Sequence, residues 1–400
     1  MQKKVIVLAL ECIQNVGDEL LGVTTQWLVK SVSSIPVERK QFTLSVKQAF
    51  KQGIIIGSCL FVCLRLISIL FQKIGLFNMS FYFNKFAYHF KLHSYYNKIM
   101  KEAQFVIVVN GMLKYSTQNL SYVYNELTLV ADKYNVPVLF NAQSIQKKDI
   151  KDPRYKSLIK ACNRSCVKMI TTRDGEEGLN RLNKDYIRNF AIKTDFVGDP
   201  ALWIPEVFKI HKNPSDIIGI GLIRRNIYQS YGTNFSSEQL FSIYEQLIHE
   251  LDKRNQKWVL FCNGMPDDYE FGKEIISRLH LTNNKLLPAP RNSCQYVEML
   301  CNFKAVFGAR LHACISSFAL DIPIVGLLWD DKLKYFAKSM GISNFFLTTD
   351  QLNGITIVDK LQEAMLFTPN YKNRTYYKEK TKNEIKCFLT NYGCNMESEK

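Results

Sequence analysis

The sequence contains no Cys-x-x-Cys pair, no zinc-finger spacing, no aromatic RNA-binding signature and no repeat of fixed period. The missing pairs exclude a redox dithiol or a zinc ribbon, and the missing period excludes solenoids and propellers. Acidic side chains are scarce beside basic ones: 36 Asp and Glu stand against 52 Lys and Arg, a formal net charge of +16. That balance favours an anionic partner, which could be nucleic acid, acidic lipid or a phosphorylated substrate. Without recognition signatures, nucleic acid ranks last, and no nucleic-acid partner is expected. The 11 cysteines are odd in number and scattered, often inside apolar runs. They read as reduced small hydrophobes in a cytoplasmic protein, not as a disulfide framework or a metal site. No small-residue cleavage site follows the short apolar run that Glu11 ends, so this run is expected as a first strand and not a signal peptide.

What is present is a rhythm. At 400 residues, 47% apolar and 22% charged, the chain is globular and long enough for two domains. "KKVIVLAL" reads as a buried parallel strand and "NVGDELLGVTTQWLVKSV" as the helix after it. "AQFVIVVNG", "VPVLFNAQS" and "VKMITTRD" are followed by helices in the same way, and "FVGDPALW" closes the half. The second half continues with "SDIIGIGLI", "KWVLFCNG", "KLLPAP", "KAVFGAR" and "IPIVGLL", each before a helical segment. Such alternation predicts an α/β fold of two doubly wound, Rossmann-like domains facing across a cleft. The expected division is an N-terminal domain over 1–204 with an insert at about 45–95, and a Pro-, Lys- and Asn-rich linker at 205–216. A C-terminal donor-binding domain over 217–370 and a basic tail over 371–400 follow.

The insert breaks the rhythm. "GIIIGSCLFVCLRLISILF" is long enough to span a bilayer, but Arg65 lies inside it, at a cost of about 2.5–3.5 kcal/mol near a span centre. A span would also separate the first strand from its sheet partners. Lys47, Lys51, Ser58, Arg65, Ser68 and Gln72 recur at helical spacing, which predicts one polar stripe on an otherwise apolar helix. Two readings share that apolar face: a helix in the membrane interface, or a helical pair packed on the body. His89 and His93 stand four residues apart, the spacing of metal ligands, but no third ligand accompanies them in the sequence, and no metal site is expected.

The chemistry gathers at "GARLHAC". Arg310 and His312 fall where a strand ends and a helix begins, at the ligand-binding end of a parallel sheet. Free backbone N–H groups and the helix dipole favour an anion there. Arginine adds a planar fork for carboxylate or phosphate, and histidine a proton donor near neutral pH. The alternative is a structural pair. Asp330, Asp331 and Lys332 follow the next strand, where Lys332 could neutralise a second anionic group or be an ordinary first-turn lysine. Arg224 and Arg225 end another strand, with an anion role for one of them and a surface role for the other. Asp18 is either a first-turn helix acid or a catalytic group. Arg173-Asp174 reads as an internal ion pair and Asp199-Pro200 as a turn.

"GARLHACISSFALDIPIVGLLWDDKLKYFAKSMG" resembles the polysaccharide pyruvyl transferase family, with its G-x-R-x-H turn, small-residue helix, G/D-x-P strand and Y-D-x-K segment. "NVGDELL", "TTRDGEEG", "VGDPALW" and "GIGLIRRN" look like further family segments in the right order. Two positions depart from the pattern: the glycine-rich turn is reduced to Asn110-Gly111, and Trp329 stands where tyrosine is usual. The resemblance implies a fold like that of B-type glycosyltransferases. It implies transfer of pyruvyl from phosphoenolpyruvate to a sugar as a cyclic ketal with release of phosphate, in surface polysaccharide biosynthesis. On it, Arg310, Leu311 and His312 help hold phosphoenolpyruvate, a co-substrate, and no further cofactor or metal is expected.

Arg310, Lys332 and one of Arg224 or Arg225 are the candidate cationic clamps, with Asn15, Gly17, Asn110 and Gly111 as further binding positions. His312 is the candidate acid, toward the methylene carbon or the leaving phosphate; Asp18 and Asp330 are candidates for taking protons from the sugar. The acceptor is expected to be a saccharide, with a lipid-linked unit as one form of it, met at the inner face of the cell membrane. Two rivals remain: a nucleotide-sugar glycosyltransferase using Asp267 or Asp268 at a ribose, and a non-catalytic scaffold of a polysaccharide assembly.

Overall fold

The computed structural model describes residues 2–10, 15–109, 112–115, 119–213, 215–230 and 234–393. Two compact units emerge: one of residues 1–12, 25–197 and 380–400, the other of residues 13–24 and 198–379.

The first half of the chain runs β1 (Lys4–Ala9), α1 (Val16–Val32, whose residues up to 24 belong to the second unit), β2 (Val37–Gln41), α2 (Val46–Lys51), α3 (Ile55–Lys73), α4 (Phe77–Glu102) and β3 (Ala103–Val108). Then come β4 (Met112–Leu113), α5 (Leu120–Lys133), β5 (Val138–Ile145), α6 (Pro153–Cys162), β6 (Val167–Thr172), α7 (Gly175–Arg181) and β7 (Lys193–Phe196). The strands pair in parallel in the order β2-β1-β3-β5-β6-β7, with β4 beside β5. β1, β3, β5 and β6 are buried along nearly their whole length, and β1 and β3 are apolar runs because both faces are covered. β2, "VERKQ", is an edge strand: Glu38 bridges Lys4 and Lys40, and Lys40 also reaches Glu102. Its charges suit an edge, and they hide it from a search for apolar runs.

The insert is not one helix. Gly53, at φ +78, ends α2, and the chain turns before α3 begins. Lys47 and Lys51 therefore lie on α2, off the stripe the sequence predicted, and Gln72 is exposed. The remaining members, Ser58, Arg65 and Ser68, face inward. Arg65 donates to Asn84 Oδ1 of α4, and Ser68 Oγ lies 3.0 Å from Ser80 O and 2.9 Å from Ser80 Oγ. The apolar side of α3 faces outward, with Ile56 77% and Leu66 63% exposed; Phe77, Tyr82 and Phe86 of α4 are exposed as well. Among the described residues, α3 is the one helix long and apolar enough to cross a membrane.

The second unit continues with a 3-10 turn (Pro200–Trp203), α8 (Ile204–Phe208), β8 (Ile217–Gly221), α9 (Ile227–Ser230), α10 (Ser237–Lys253), β9 (Lys257–Phe261) and α11 (Pro266–Arg278). After these come α12 (Ser293–Leu300), β10 (Ala305–Gly308), α13 (Leu311–Ala319), β11 (Ile324–Leu327), α14 (Asp331–Met340), β12 (Phe346–Leu347), α15 (Gly354–Leu366) and α16 (Tyr371–Asn391), whose residues from 380 onward belong to the first unit. The sheet is parallel in the order β12-β11-β10-β8-β9. "KLLPAP" forms no named strand; it contributes an isolated bridge from Leu286 to Leu260. Residues expected as a linker include α8, and the basic C-terminal segment is the helix α16. β8 and β9 run to one side of the sheet and β10 crosses back to the other side of β8. The switch point of this doubly wound sheet thus lies between the carboxyl ends of β8 and β10.

Candidate functional site

Arg310 is the N-cap of α13, directly after β10. Its guanidinium does not stand alone. Nε donates to Asp268 Oδ2 at 2.8 Å and Nη2 to Asp268 Oδ1 at 2.5 Å, a bidentate pair with a carboxylate that is fully buried. Asp268 sits in the first turn of α11, where the helix dipole favours a negative charge. The Arg224 backbone N–H also donates to it. Burial raises the Asp268 carboxyl above its ordinary value, while Arg310 and the Arg224 N–H pull the other way. One carboxylate thus ties together the chain segments leaving β8, β9 and β10.

Arg224 and Arg225 separate cleanly. Arg225 belongs to a surface network with Glu238 and with Glu274 at 2.7 Å, which Arg278 shares. Arg224 is half-buried at the switch point. Its Nε is buried and, among the described residues, has no hydrogen-bond acceptor.

His312 is buried in the first turn of α13. Its Nε2 lies 3.9 Å from Asp199 Oδ2, within ion-pair range. Asp199 is the turn residue the sequence suggests: its Oδ1 accepts the Ala201 N–H at 2.8 Å and caps the 3-10 turn. Its partnership with His312 is not visible in the sequence. On the other side of the imidazole lies the start of α1. A Cβ on Gly17 would fall 2.1 Å from His312 Nδ1, so only glycine permits this approach. Asn15 holds that turn, accepting from Gly17 N at 3.1 Å and donating to Asp18 Oδ2 at 3.0 Å. Val16 N donates to Asn263 O, and the Glu19 carboxylate accepts both Ser293 N and Ser293 Oγ at the start of α12. Asn15, Gly17 and the buried Asp18 are therefore brought to His312 and Asp199, all within the second unit.

Asp330 caps α14 by accepting the Lys332 N–H at 3.1 Å, and Lys332 Nζ lies 3.8 Å from its Oδ2. Trp329, the departure from tyrosine, donates its indole N–H to Ala309 O at 2.6 Å and fastens the β11 loop to the residue before Arg310. Leu311 packs against the core of the second unit. Asp174 accepts from Ser144 Oγ and Ile145 N, both at 2.8 Å, so it braces the end of β5. Asn110 and Gly111 lie outside the described residues. Asp268 was weighed from sequence only as a ribose ligand; the signal that could have identified its role was Arg310 itself, a half-buried guanidinium at a strand end that needs an acid at the end of a neighbouring strand.

These features define an α/β protein of two parallel-sheet units with ionisable residues at the carboxyl ends of the second sheet. Solved structures agree on the fold. The UDP-GlcNAc 2-epimerase of Methanocaldococcus jannaschii is similar at 12% identity, with 97% of this chain and 99% of that chain covered and a TM-score of 0.60. The Neisseria meningitidis UDP-GlcNAc 2-epimerase, bound to UDP-GlcNAc, is similar at 12% identity, covering 97% of this chain and 100% of that one, with a TM-score of 0.57. At this identity the likeness establishes the fold alone. No curated protein matches the chain. The sequence model described as polysaccharide pyruvyl transferase matches residues 64–331, most of the chain. The chain belongs to the polysaccharide pyruvyl transferase family, a transferase family whose membership supports polysaccharide modification with a saccharide acceptor. The matched span includes Arg224, Asp268, Arg310 and His312; Asn15 to Asp18 and Lys332 fall outside it.

Proposed function

We propose that the protein transfers a pyruvyl group from phosphoenolpyruvate to a saccharide as a cyclic ketal, in surface polysaccharide biosynthesis on the cytoplasmic side of a membrane. The observation that carries this reading is Arg224, whose buried Nε has no acceptor among the described residues, in the segment that leaves β8 at the switch point. Phosphoenolpyruvate offers a carboxylate and a phosphate, and the start of α13, Arg224 and Lys332 supply cationic character for both. Arg310 contributes less net charge than its identity suggests, because Asp268 neutralises it.

The reaction adds one proton to the methylene carbon, which becomes the methyl group. The adjacent carbon gains oxocarbenium character and bonds to the first sugar oxygen. The C–O bond to phosphate breaks, and the second hydroxyl closes the ketal. Two hydroxyl protons are released; they balance the one taken up by carbon and the one carried away by phosphate. His312, held between Gly17 and Asp199, is the proton donor of this scheme, and Asp18, the residue after Gly17, is the acceptor. Asp268 is already engaged by Arg310, which argues against its use at the ribose of a nucleotide-sugar.

The outward apolar face of α3 and α4 supports a lipid-linked acceptor met at a membrane surface, and the +16 net charge suits anionic lipid. Replacing Ile56, Leu66 and Leu70 by serine should abolish binding to anionic vesicles while the melting temperature holds; unchanged vesicle binding removes the membrane from the reading.

The donor is tested by melting the purified protein with phosphoenolpyruvate, UDP-sugars, GDP-sugars or phosphate. A ligand at 100 times its Kd adds about 2.7 kcal/mol. A shift with phosphoenolpyruvate that disappears in Arg224→Ala supports the reading. A shift confined to a nucleotide-sugar replaces it with glycosyl transfer.

A further inference from the structure

The two histidines four residues apart on α4 acquire, from the neighbouring helix, the third group that the sequence around them lacks. His89 Nδ1 lies 3.1 Å from Glu126 Oε2, and His93 Nδ1 lies 2.6 Å from Glu126 Oε1. The two rings are 4.6 Å apart at their centroids, and one donor atom from each of the three residues lies within 4.8 Å of the others. The Glu126 side chain is 5% exposed and the two imidazoles 40% and 34%. We infer that His89, His93 and Glu126 form a site for a zinc-class divalent cation that fastens α4 to α5 in the first unit.

The chemistry is that of the ligand set. Two imidazoles and one carboxylate are nitrogen and oxygen donors of the kind used by Zn2+, Co2+ and Ni2+, and a poor set for Mg2+ or Ca2+, which take oxygen. The buried carboxylate supplies the negative charge. Ligand atoms about 2.0–2.2 Å from zinc in a tetrahedron stand roughly 3.3 Å apart. Both nitrogen–oxygen separations, 3.1 Å and 2.6 Å, fall short of that value, so seating the ion requires the two partly exposed rings to rotate away from the carboxylate. The i,i+4 spacing puts both rings on one face of α4. Their exposure leaves a path for the ion and a fourth position for water.

The experiment uses the full-length protein, stripped with chelator and titrated with Zn2+, and with Co2+ as an absorbing probe. Cys59 and Cys63, exposed at the same spacing on α3, are replaced by serine throughout so that thiolates cannot take the ion. The expected result is one equivalent bound, a rise in melting temperature, and a Co2+ spectrum of low coordination number. His89→Gln and His93→Gln, at partly exposed positions, should each weaken binding at least tenfold while the metal-free protein melts as before. No uptake in the Cys59→Ser, Cys63→Ser protein overturns the inference, as does uptake that survives the double variant His89→Gln, His93→Gln.

Discussion

The Asp268 carboxylate grips Arg310 with both oxygens from inside the second unit, and the pair is the brace of the site. Removing either partner strands a charge. Arg310→Ala and Asp268→Ala should each lower unfolding free energy by about 3–5 kcal/mol, while an apolar replacement of both residues should recover much of the loss. Urea unfolding of the two single variants and the double variant measures this.

Arg224 behaves in the opposite way. Its buried Nε has no acceptor among the described residues, so Arg224→Ala should change stability by no more than about 0.5 kcal/mol. The same variant should lose the melting shift that the anionic donor gives. Melting with and without phosphoenolpyruvate reads both effects in one experiment.

Gly17 and His312 occupy nearly the same space. Gly17→Ala should cost about 1–3 kcal/mol, because the new methyl displaces the imidazole. In a protein that already carries His312→Ala, the Gly17→Ala cost should shrink. A double-mutant cycle by urea unfolding reports the coupling.

Thiol chemistry should divide the cysteines by burial. Burial holds the Cys166 thiol at about 12 and the Cys262 thiol at about 11, and pushes Cys314 up further. The thiolate is the reactive form, so at pH 8 these three should be nearly inert. Cys59 and Cys63, exposed on α3, should alkylate first. Peptide mapping after a short exposure to iodoacetamide gives the order.

The sheets were readable in the sequence because strands covered on both faces are unbroken apolar runs, as in "VIVLA" of β1. β2 was not, since an edge strand carries charge. Arg310 could be singled out, but its acid lies 42 positions earlier, and no local pattern links a strand end to the first turn of another helix. His312 was visible as a titratable group; the glycine that lies against it begins a helix near the other end of the chain. The spacing of His89 and His93 was plain, yet Glu126 comes from α5, and only the packing of α4 on α5 brings it there. In the insert, helical spacing held for Ser58, Arg65 and Ser68 of α3, and failed at exposed Gln72 and where Gly53 interrupts the helix. Spacing also left open which face turns inward.

That orientation governs how the protein behaves in a tube. Ser58, Arg65, Ser68, Ser80 and Asn84 fill the seam between α3 and α4, and the oily side chains point out. The hairpin is built like a surfactant with its head groups folded inside. In plain buffer its cheapest refuge is another copy of itself, so concentrated protein should cluster reversibly. Mild detergent should then disperse the clusters without unfolding either unit, and purification would be gentlest with it present from lysis onward.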